Sequence, residues 1–307
     1  MKTHKAYGYL ALTATSILWG TTWVASKIGV MEMPPLQLAY LRQLIAGILL
    51  VGFFMLFKKF SLPTAKQFGW LLMMALLMFV FANGLSTWSL HWISSGLSAL
   101  IGALYPLCVV ILEKLFFNSK PLTRITYLGL FMGLLGVVIV FYDNAIAPNT
   151  GVIWPGLLLS IAAMLSWSLG TIFLGRNKTQ INPYYGAGWQ MLLGGVILLL
   201  WAQLGTTTIP HAQIPAKAWL AIAYLVIFGS IIAFVAFIYS IKKLPAALAS
   251  LYAYINPLVA MVLGSVLVNE HLTLHILWGA VVTLTGVYLV NSSIKKQNQK
   301  IITEAEI

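Results

Sequence analysis

The sequence predicts an all-α polytopic membrane protein, with ten transmembrane helices in two inverted five-helix repeats and both termini in the cytoplasm. Of its 307 residues, 60% are hydrophobic and 8% are charged, whereas soluble domains are about a quarter charged. Uncharged runs of roughly 20 residues, the helix length that crosses a hydrocarbon core, recur along the chain. These runs are too long and too uniform for a transmembrane barrel, whose strands alternate apolar and polar positions over about 10 residues.

Ten apolar runs define the predicted helices. The first run follows Lys2 and Lys5, as the apolar run of a signal peptide would. It is about 23 residues long and no small-residue cleavage site follows it, so we predict a helix there. The runs cover residues 7–29, 35–57, 68–90, 96–117, 123–142, 153–175, 184–204, 217–240, 246–268 and 272–291.

The positions of the basic residues predict the orientation, because short cytoplasmic loops collect Lys and Arg. If the N-terminus is inside, Lys27 and Lys217 are left on the outer face, Arg42 lies within the membrane, and Glu32, Asp143 and Glu270 are outside. The cytoplasmic side then receives Lys2, Lys5, Lys58, Lys59, Lys66, Lys114, Lys120, Arg124, Arg176, Lys178, Lys242, Lys243, Lys295, Lys296 and Lys300. A wrong number of helices would destroy this separation.

The two halves of the chain are similar in sequence. A shift of 148 positions aligns Trp19 with Trp167, and a shift of 151 aligns Pro106 with Pro257. We therefore predict a first repeat over residues 1–145, a second over 146–294 and a cytoplasmic polar tail over 295–307. Because five is odd, the second repeat enters the membrane inverted, an arrangement that suits alternating access.

This layout resembles the EamA-type transporters of the drug/metabolite transporter superfamily over nearly the whole chain. The segments that carry the resemblance are LWGTTWVASK (18–27), PLQLAYLRQLIAGILL (35–50), YPLCVVILEKLF (105–116) and NPLVAMVLGSVLVNEHLT (256–273). Lys120 departs from the pattern, since it stands where the second half has Glu270. The resemblance implies a central cavity between helices 1–4 and 6–9, with helices 5 and 10 at the periphery.

Pro106 and Pro257 lie near the middle of the fourth and ninth runs. Each proline frees the carbonyl four residues earlier, those of Gly102 and Ala253. Matched interruptions in both halves are typical of a transporter binding site, so we predict that these prolines break or gate the two helices beside the cavity. The alternative is a structural kink that neighbouring helices satisfy.

Arg42 is the least expected residue, because it lies about seven residues, roughly 10 Å, into the second helix. An arginine near the bilayer centre costs about 2.5–3.5 kcal/mol on insertion scales. Its guanidinium could hold a substrate carboxylate or phosphate. It could equally extend to the interface or cap a neighbouring helix.

Aromatic and polar residues near the middle of other runs complete the predicted substrate site. An indole within the membrane needs a partner for its N–H, which a cavity or a helix contact can supply. Each polar residue alone is more often a contact between helices than a ligand contact. The predicted substrate-binding residues are Trp19, Trp23, Arg42, Asn83, Trp88, Tyr105, Trp167, Gln190, Tyr239, Tyr254 and Asn256.

Several functions are disfavoured by what the sequence lacks. Glu113 is the one acid inside a run, and we expect it to be solvated or paired with Lys120 or Arg124. The small multidrug exporters, distant relatives, use a glutamate in their first helix, and this first helix has none. Intramembrane protease motifs are absent, and one cysteine, Cys108, forms neither a disulfide framework nor a metal site. We predict no enzyme activity, no cofactor and no metal.

The sequence therefore predicts a secondary transporter of the plasma or inner membrane, a multi-pass protein that exports amino acids or related zwitterionic or anionic metabolites. The alternatives are a passive channel-like facilitator and a multidrug exporter. A channel is disfavoured because the sequence has no polar stripe long enough to line a continuous water path. The expected partners are a small-molecule substrate and the lipid bilayer, without nucleic acid, and the chain is a monomer or a homodimer.

Overall fold

A computed structural model describes residues 2–116, 122–146, 153–176, 179–205, 208–244 and 251–305. Over these ranges the regular secondary structure is helical, without strands. The all-α prediction is confirmed there. The basic residues Lys120 and Lys178, which entered the orientation argument, are not among the described residues.

Most helices follow the predicted runs, but the first begins at Lys2 instead of residue 7, and the last continues to Ala305, through most of the predicted polar tail. Their bounds are α1 Lys2–Glu32, α2 Pro35–Phe57, α3 Ala65–Ser89, α4 Ser95–Phe116, α5 Arg124–Ile146, α6 Trp154–Gly175, α7 Pro183–Gly205, α8 Ala216–Lys243, α9 Tyr252–Val268 and α10 Leu274–Ala305. Helix α3 widens to π-helical turns over Ala75–Gly84, and α8 does so over Leu225–Ile232. Helix α4 is interrupted at Ala103 and Leu104. A short 3-10 turn, His211–Gln213, precedes α8.

Seven of these helices, α2, α3, α4, α6, α7, α8 and α10, are long and apolar enough to cross a membrane. Helix α9 and the Arg124–Val140 part of α5 are shorter apolar helices. Helix α1 is not in either group; it carries many Thr, Ser and Gly residues. The chain is a multi-pass membrane protein of the cell membrane, while ten spans stay a prediction.

The helices pack in pairs around a central space. Helix α2 packs on α7, α5 on α10 and α4 on α9, while α1 contacts α8 and α9, and α6 contacts α3 and α4. The α5 and α10 backbones approach each other closely, because glycines line their contact. A Cβ added at Gly136 would lie 2.6 Å from the Gly279 carbonyl oxygen, and one at Gly286 would lie 2.6 Å from the Gly129 carbonyl oxygen.

Contacts between distant segments define the two ends of the bundle. One end contains the last turns of α1, which include Lys27 and Glu32, and we call it the Lys27 end. Lys217 Nζ lies 2.9 Å from Glu32 Oε1 there. The Gln37 amide exchanges two hydrogen bonds with the Ile209 backbone there, at 2.8 and 2.9 Å.

At the other end, which we call the Arg176 end, the Tyr185 hydroxyl donates to the Ser61 carbonyl at 3.0 Å. Glu113 ion-pairs with Arg176 across 3.7 Å and both side chains are about 40% or more exposed. The sequence predicted solvation or pairing with Lys120 or Arg124. The exposure of Glu113 agrees with solvation, its ion-pair partner is Arg176 at the end of α6, and Lys120 lies outside the described residues.

Candidate functional site

A cavity of about 170 Å³ lies between the helices in the middle of the bundle. Residues of α1, α2, α3, α4, α6, α7, α8 and α9 line it, and the described side chains of α5 and α10 are not among them. On α1 the lining runs from Trp19 to Ser26, and on α4 from Tyr105 to Ser98. The cavity therefore extends from the middle of the bundle toward the Lys27 end.

Five aromatic rings pack together on the side of the cavity that faces the Arg176 end, and four of them, all but Phe237, line it. This aromatic cluster consists of Trp19, Trp167, Phe234, Phe237 and Tyr252. The Trp19 ring lies 6.4 Å from Trp167, 6.0 Å from Phe234, 4.9 Å from Phe237 and 5.3 Å from Tyr252, measured between centroids. Edge-to-face contacts of this kind add to the free energy of burying the rings.

The π-helical part of α8 holds two cavity residues in place. The Gly229 carbonyl accepts a hydrogen bond from Trp19 Nε1 at 3.1 Å, and the Ser230 hydroxyl accepts one from Arg42 Nε at 2.9 Å. π-Helical turns are frequent at functional sites. A Cβ at Gly229 would lie 2.5 Å from Thr22 Cγ2, so the close approach of α1 to α8 requires glycine here.

Arg42 is 8% exposed and lines the cavity. Its Nε donates to Ser230. The ion pairs within the described part of the chain are Arg176–Glu113 and Lys217–Glu32, so no described carboxylate neutralises Arg42. A guanidinium that is buried beside a cavity without a protein counter-ion can bind an anionic group of a ligand.

Small polar groups line the rest of the cavity wall. Gln43 Nε2 donates to Asn83 Oδ1 at 2.8 Å, and the hydroxyls of Ser98 and Ser160 lie 3.2 Å apart. The Asn256 amide nitrogen, in the orientation that satisfies its neighbours, donates to the carbonyls of Ser16 and Tyr252 at 2.7 and 3.1 Å. The amide thereby ties the start of α9 to α1.

The two prolines lie beside the cavity without lining it. Pro106 follows the interruption of α4, and Pro257 lies inside α9; both are buried. The residues whose carbonyls they free, Gly102 and Ala253, do line the cavity. Whether the prolines break or gate the helices in function stays a prediction.

The structure brings seven of the predicted substrate-binding residues together. These are Trp19, Trp23, Arg42, Asn83, Tyr105, Trp167 and Asn256. Trp19 is also the indole for which a partner was expected, and the Gly229 carbonyl supplies it.

The other four predicted residues lie outside the cavity. A helix turns by about 100° per residue, so the neighbours of Trp88, Gln190 and Tyr254 line the cavity in their place, whereas Tyr239 lies five residues beyond the last lining residue of α8, Phe234. Trp88 packs against Trp92 and Trp201. Gln190 is buried beside the lining residue Met191. The Tyr239 ring carries the Lys243 ammonium 5.9 Å from its centroid, and the Tyr254 hydroxyl accepts a hydrogen bond from Asn291 at 2.6 Å.

Several cavity residues were missed by sequence reasoning. They are mostly small or apolar, among them Thr22, Ser26, Gln43, Ser98, Ser160, Ser230 and Phe234. Helical spacing could have found two of them, since Thr22 and Ser26 lie three and seven residues after Trp19 on the same helix face. Ser230 had no such signal, because its position depends on the π-helical widening of α8.

Groups of three or more potential metal ligands are absent from the described residues. The site is therefore built from aromatic rings, hydroxyls, amides and one guanidinium. Such an arrangement can bind a small molecule that has an apolar body and an anionic group.

Comparisons with known proteins agree with a transporter. The EamA-like transporter family matches residues 6–142 and 154–292. The chain is 33% identical to the Escherichia coli K12 protein named "Uncharacterized inner membrane transporter YedA", over 86% of this chain and 83% of the relative. It is 25% identical to the Bacillus subtilis protein "Uncharacterized transporter YoaV", over 91% and 95%.

A plant relative is the Arabidopsis thaliana protein "WAT1-related protein At3g02690, chloroplastic", which is 28% identical over 92% of this chain and 69% of the relative. A solved structure titled "Crystal structure of protein" superposes with a TM-score of 0.63 at 19% identity, covering 92% of this chain and 96% of the other. At that identity the likeness shows the fold alone.

Proposed function

The chain belongs to the EamA-like transporter family, and from that premise we propose that this membrane transporter is a secondary transporter that works by alternating access. It crosses the membrane with ten helices in two inverted repeats, α1–α5 and α6–α10. The family match and the transporter relatives suggest that it is not an enzyme. The cavity is the substrate site in this proposal.

The contacts between helices support the inverted repeats. If α1 corresponds to α6 and so on to α5 and α10, the contact of α1 with α9 corresponds to that of α6 with α4, and the contact of α1 with α8 to that of α6 with α3. Exchanging the two halves exchanges the members of each remaining pair, so the contacts α2–α7, α4–α9 and α5–α10 are unchanged by it. The π-helical turns of α3 and α8 also occupy matching helices.

The Arg176 end is the cytoplasmic side in this proposal. Gly8 lies near Leu244 at that end, and the Ser293 hydroxyl lies 2.9 Å from the Thr126 hydroxyl, so the first and last helices both have their chain termini there. Basic residues concentrate on this side of the helices, as the positive-inside rule requires of a cytoplasmic face.

The substrate is a small zwitterionic or anionic metabolite, such as an amino acid, and the direction is export. The buried Arg42 guanidinium, which has no described carboxylate partner, carries this part of the proposal. An anionic ligand would supply the missing counter-charge. The aromatic cluster and Trp23 supply apolar contact area for the rest of the ligand.

The two alternatives fit the cavity less well. A passive channel needs a continuous water path, whereas the aromatic cluster closes the cavity toward the Arg176 end. An exporter of lipophilic cations needs an acidic residue at its site, and among the described residues no Asp or Glu lines the cavity.

The test is uptake of labelled amino acids, nucleobases and sugars into proteoliposomes, with and without a pH gradient. We expect saturable flux of a carboxylate-bearing class, and a loss of flux in Arg42→Ala, Trp19→Ala and Asn256→Ala while membrane insertion is unchanged. Arg124→Ala, which removes an exposed arginine at the start of α5, is the matched control. Normal flux in all three cavity variants removes the site, and flux without saturation favours the channel.

A further inference from the structure

Two opposite charges hold the short connection between α3 and α4 at the Lys27 end. The Lys27 ammonium, which comes from α1, donates to the carbonyls of Leu90 and Ile93 at 2.6 and 3.0 Å. Leu90 directly follows Ser89, the last residue of α3, and Ile93 lies three residues further along the connection. A cation is stabilised there by the helix dipole and by the unsatisfied carbonyls of the last turn.

The carboxylate of Glu270 holds the other side of the same connection. Glu270 follows α9, and its two oxygens accept hydrogen bonds from the Ser95 amide at 2.7 Å and the Ser95 hydroxyl at 2.8 Å. The Gly96 amide also donates to Glu270 Oε2, at 3.4 Å. The carboxylate thus caps the N-terminal end of α4, where the helix dipole favours an anion.

These contacts hold the α3–α4 connection against two other helices. Lys27 belongs to α1 and Glu270 follows the end of α9, and these two helices pack on each other. The residues that they hold lie between the end of α3 and the start of α4, and α4 itself also packs on α9. The connection borders the cavity directly, since Leu90 lines it. Withdrawing the connection from Lys27 and Glu270 would therefore open a path to the cavity at this end.

We propose that Lys27 and Glu270 form a latch that keeps the cavity closed at the Lys27 end. Opening withdraws the α3–α4 connection from both charges, and water then solvates the ammonium, the carboxylate and the two helix ends. The latch is reversible because each group that it releases is polar. The inference concerns the same cavity as the proposed function, and its test needs no transport.

The single cysteine of the chain makes a direct test available. Replacing Cys108 by Ser and placing a reporter by Ala163→Cys, on the cavity wall of α6, gives one thiol whose access depends on opening. The rate at which a charged, water-soluble maleimide modifies this thiol is measured in lipid nanodiscs, where both faces are accessible. Lys27→Met and Glu270→Gln are each introduced into this parent.

We expect each variant to accelerate labelling about tenfold, because losing hydrogen bonds to a charged group shifts an opening equilibrium by at least that factor. Lys217→Met and Glu32→Gln are the matched controls, since they remove the other ion pair of the same end, whose Lys217 side chain is 60% exposed. We expect labelling within twofold of the parent for both. An unchanged rate in the latch variants, or an equal acceleration in the controls, overturns the proposal.

A general loosening of the fold, as distinct from opening of the latch, is detected with the native Cys108 thiol. In chains that keep Cys108 and lack the reporter, the buried Cys108 should stay unreactive in every variant. If a latch variant exposes Cys108, Ser95→Ala is tested in place of that variant. This change removes one donor to Glu270 and keeps both charges. An acceleration of about threefold then supports the latch, and an unchanged rate overturns it. A wild-type protein that transports none of the tested solutes would contradict the proposed function and leave this result standing.

Discussion

The cavity is bordered by different chemistry on its two sides. Toward the Lys27 end, an ammonium and a carboxylate each bind a helix end through hydrogen bonds of 2.6–3.0 Å. Toward the Arg176 end, aromatic rings pack with centroid distances of 4.9–6.4 Å. One closure depends on polar groups that water can replace, and the other depends on apolar area that water cannot.

This difference can be expressed in free energy. An aromatic side chain buries about 150–250 Å², and each 100 Å² of apolar area returned to water costs about 2.5 kcal/mol. Opening the aromatic cluster therefore costs several kcal/mol. Opening the latch exchanges the hydrogen bonds of two charged groups for hydrogen bonds with water, at about 1.5–3 kcal/mol for each bond. The two sides therefore cost comparable free energies to open, and they differ in whether water can replace the contacts that are broken.

The largest effect should come from breaking the aromatic cluster. Trp19→Ala removes the ring that contacts Trp167, Phe234, Phe237 and Tyr252, together with the hydrogen bond to Gly229. We expect the free energy of unfolding to fall by about 3–5 kcal/mol. Thermal denaturation of the purified protein in detergent measures the change.

A second tryptophan supplies the control for that prediction. Trp219, on α8 near the Lys27 end, is 38% exposed and lies outside the cavity, so Trp219→Ala should lower the melting temperature much less. Equal losses for the two variants would mean that the cluster is no more important to the fold than an interfacial ring.

The next effect should come from the latch. Glu270→Ala removes the acceptor of the Ser95 amide and hydroxyl and leaves the start of α4 without its anion. We expect a loss of about 2 kcal/mol in the free energy of unfolding. Glu32→Ala, at the same end, should cost about 0.5 kcal/mol or less, because its partner Lys217 is largely solvated. If both variants melt alike, Glu270 acts as an ordinary surface acid.

A smaller effect is expected from one hydroxyl within the cluster. The Tyr252 hydroxyl donates to the Tyr105 hydroxyl at 3.0 Å, and the two rings stack 6.4 Å apart. Tyr252→Phe keeps the ring and removes the hydrogen bond, so it should cost about 1 kcal/mol. In a double-mutant cycle with Tyr105→Phe the losses should be non-additive, because both variants remove the same bond. Additive losses would show that the hydroxyls act separately.

The fold could be predicted from the sequence to a large extent, because each helix is a long apolar run between charged loops. The central position of Arg42, Trp19 and Trp167 also followed from polar or bulky residues in the middle of such runs. Which face each helix presents did not follow. Nearly every position of these helices is apolar, so the amphipathic pattern that would orient Tyr252 and Tyr254 is weak.

The latch could not be predicted for a different reason. Glu270 and Lys27 are far apart in the sequence, and each binds the backbone of a third segment, Leu90–Gly96. A side chain that binds the backbone of another segment needs no particular side chain there, so the sequence pattern does not reveal the contact. From the sequence, Lys27 and Glu270 indicated only which face of the membrane their loops occupy. The widening of α8 that places Gly229 and Ser230 had no sequence signal either.

The smallest effect is expected at the Arg176 end, where Glu113 and Arg176 form an ion pair across 3.7 Å with side chains 40% and 44% exposed. Water already solvates both groups, so Glu113→Gln should change the free energy of unfolding by about 0.5 kcal/mol or less. It should also leave maleimide labelling of Ala163→Cys at the parent rate, since the aromatic cluster and not this pair closes the cavity on that side. An acceleration comparable to that of Glu270→Gln would mean that charges close both sides. The difference between a polar and an apolar closure would then no longer describe this transporter.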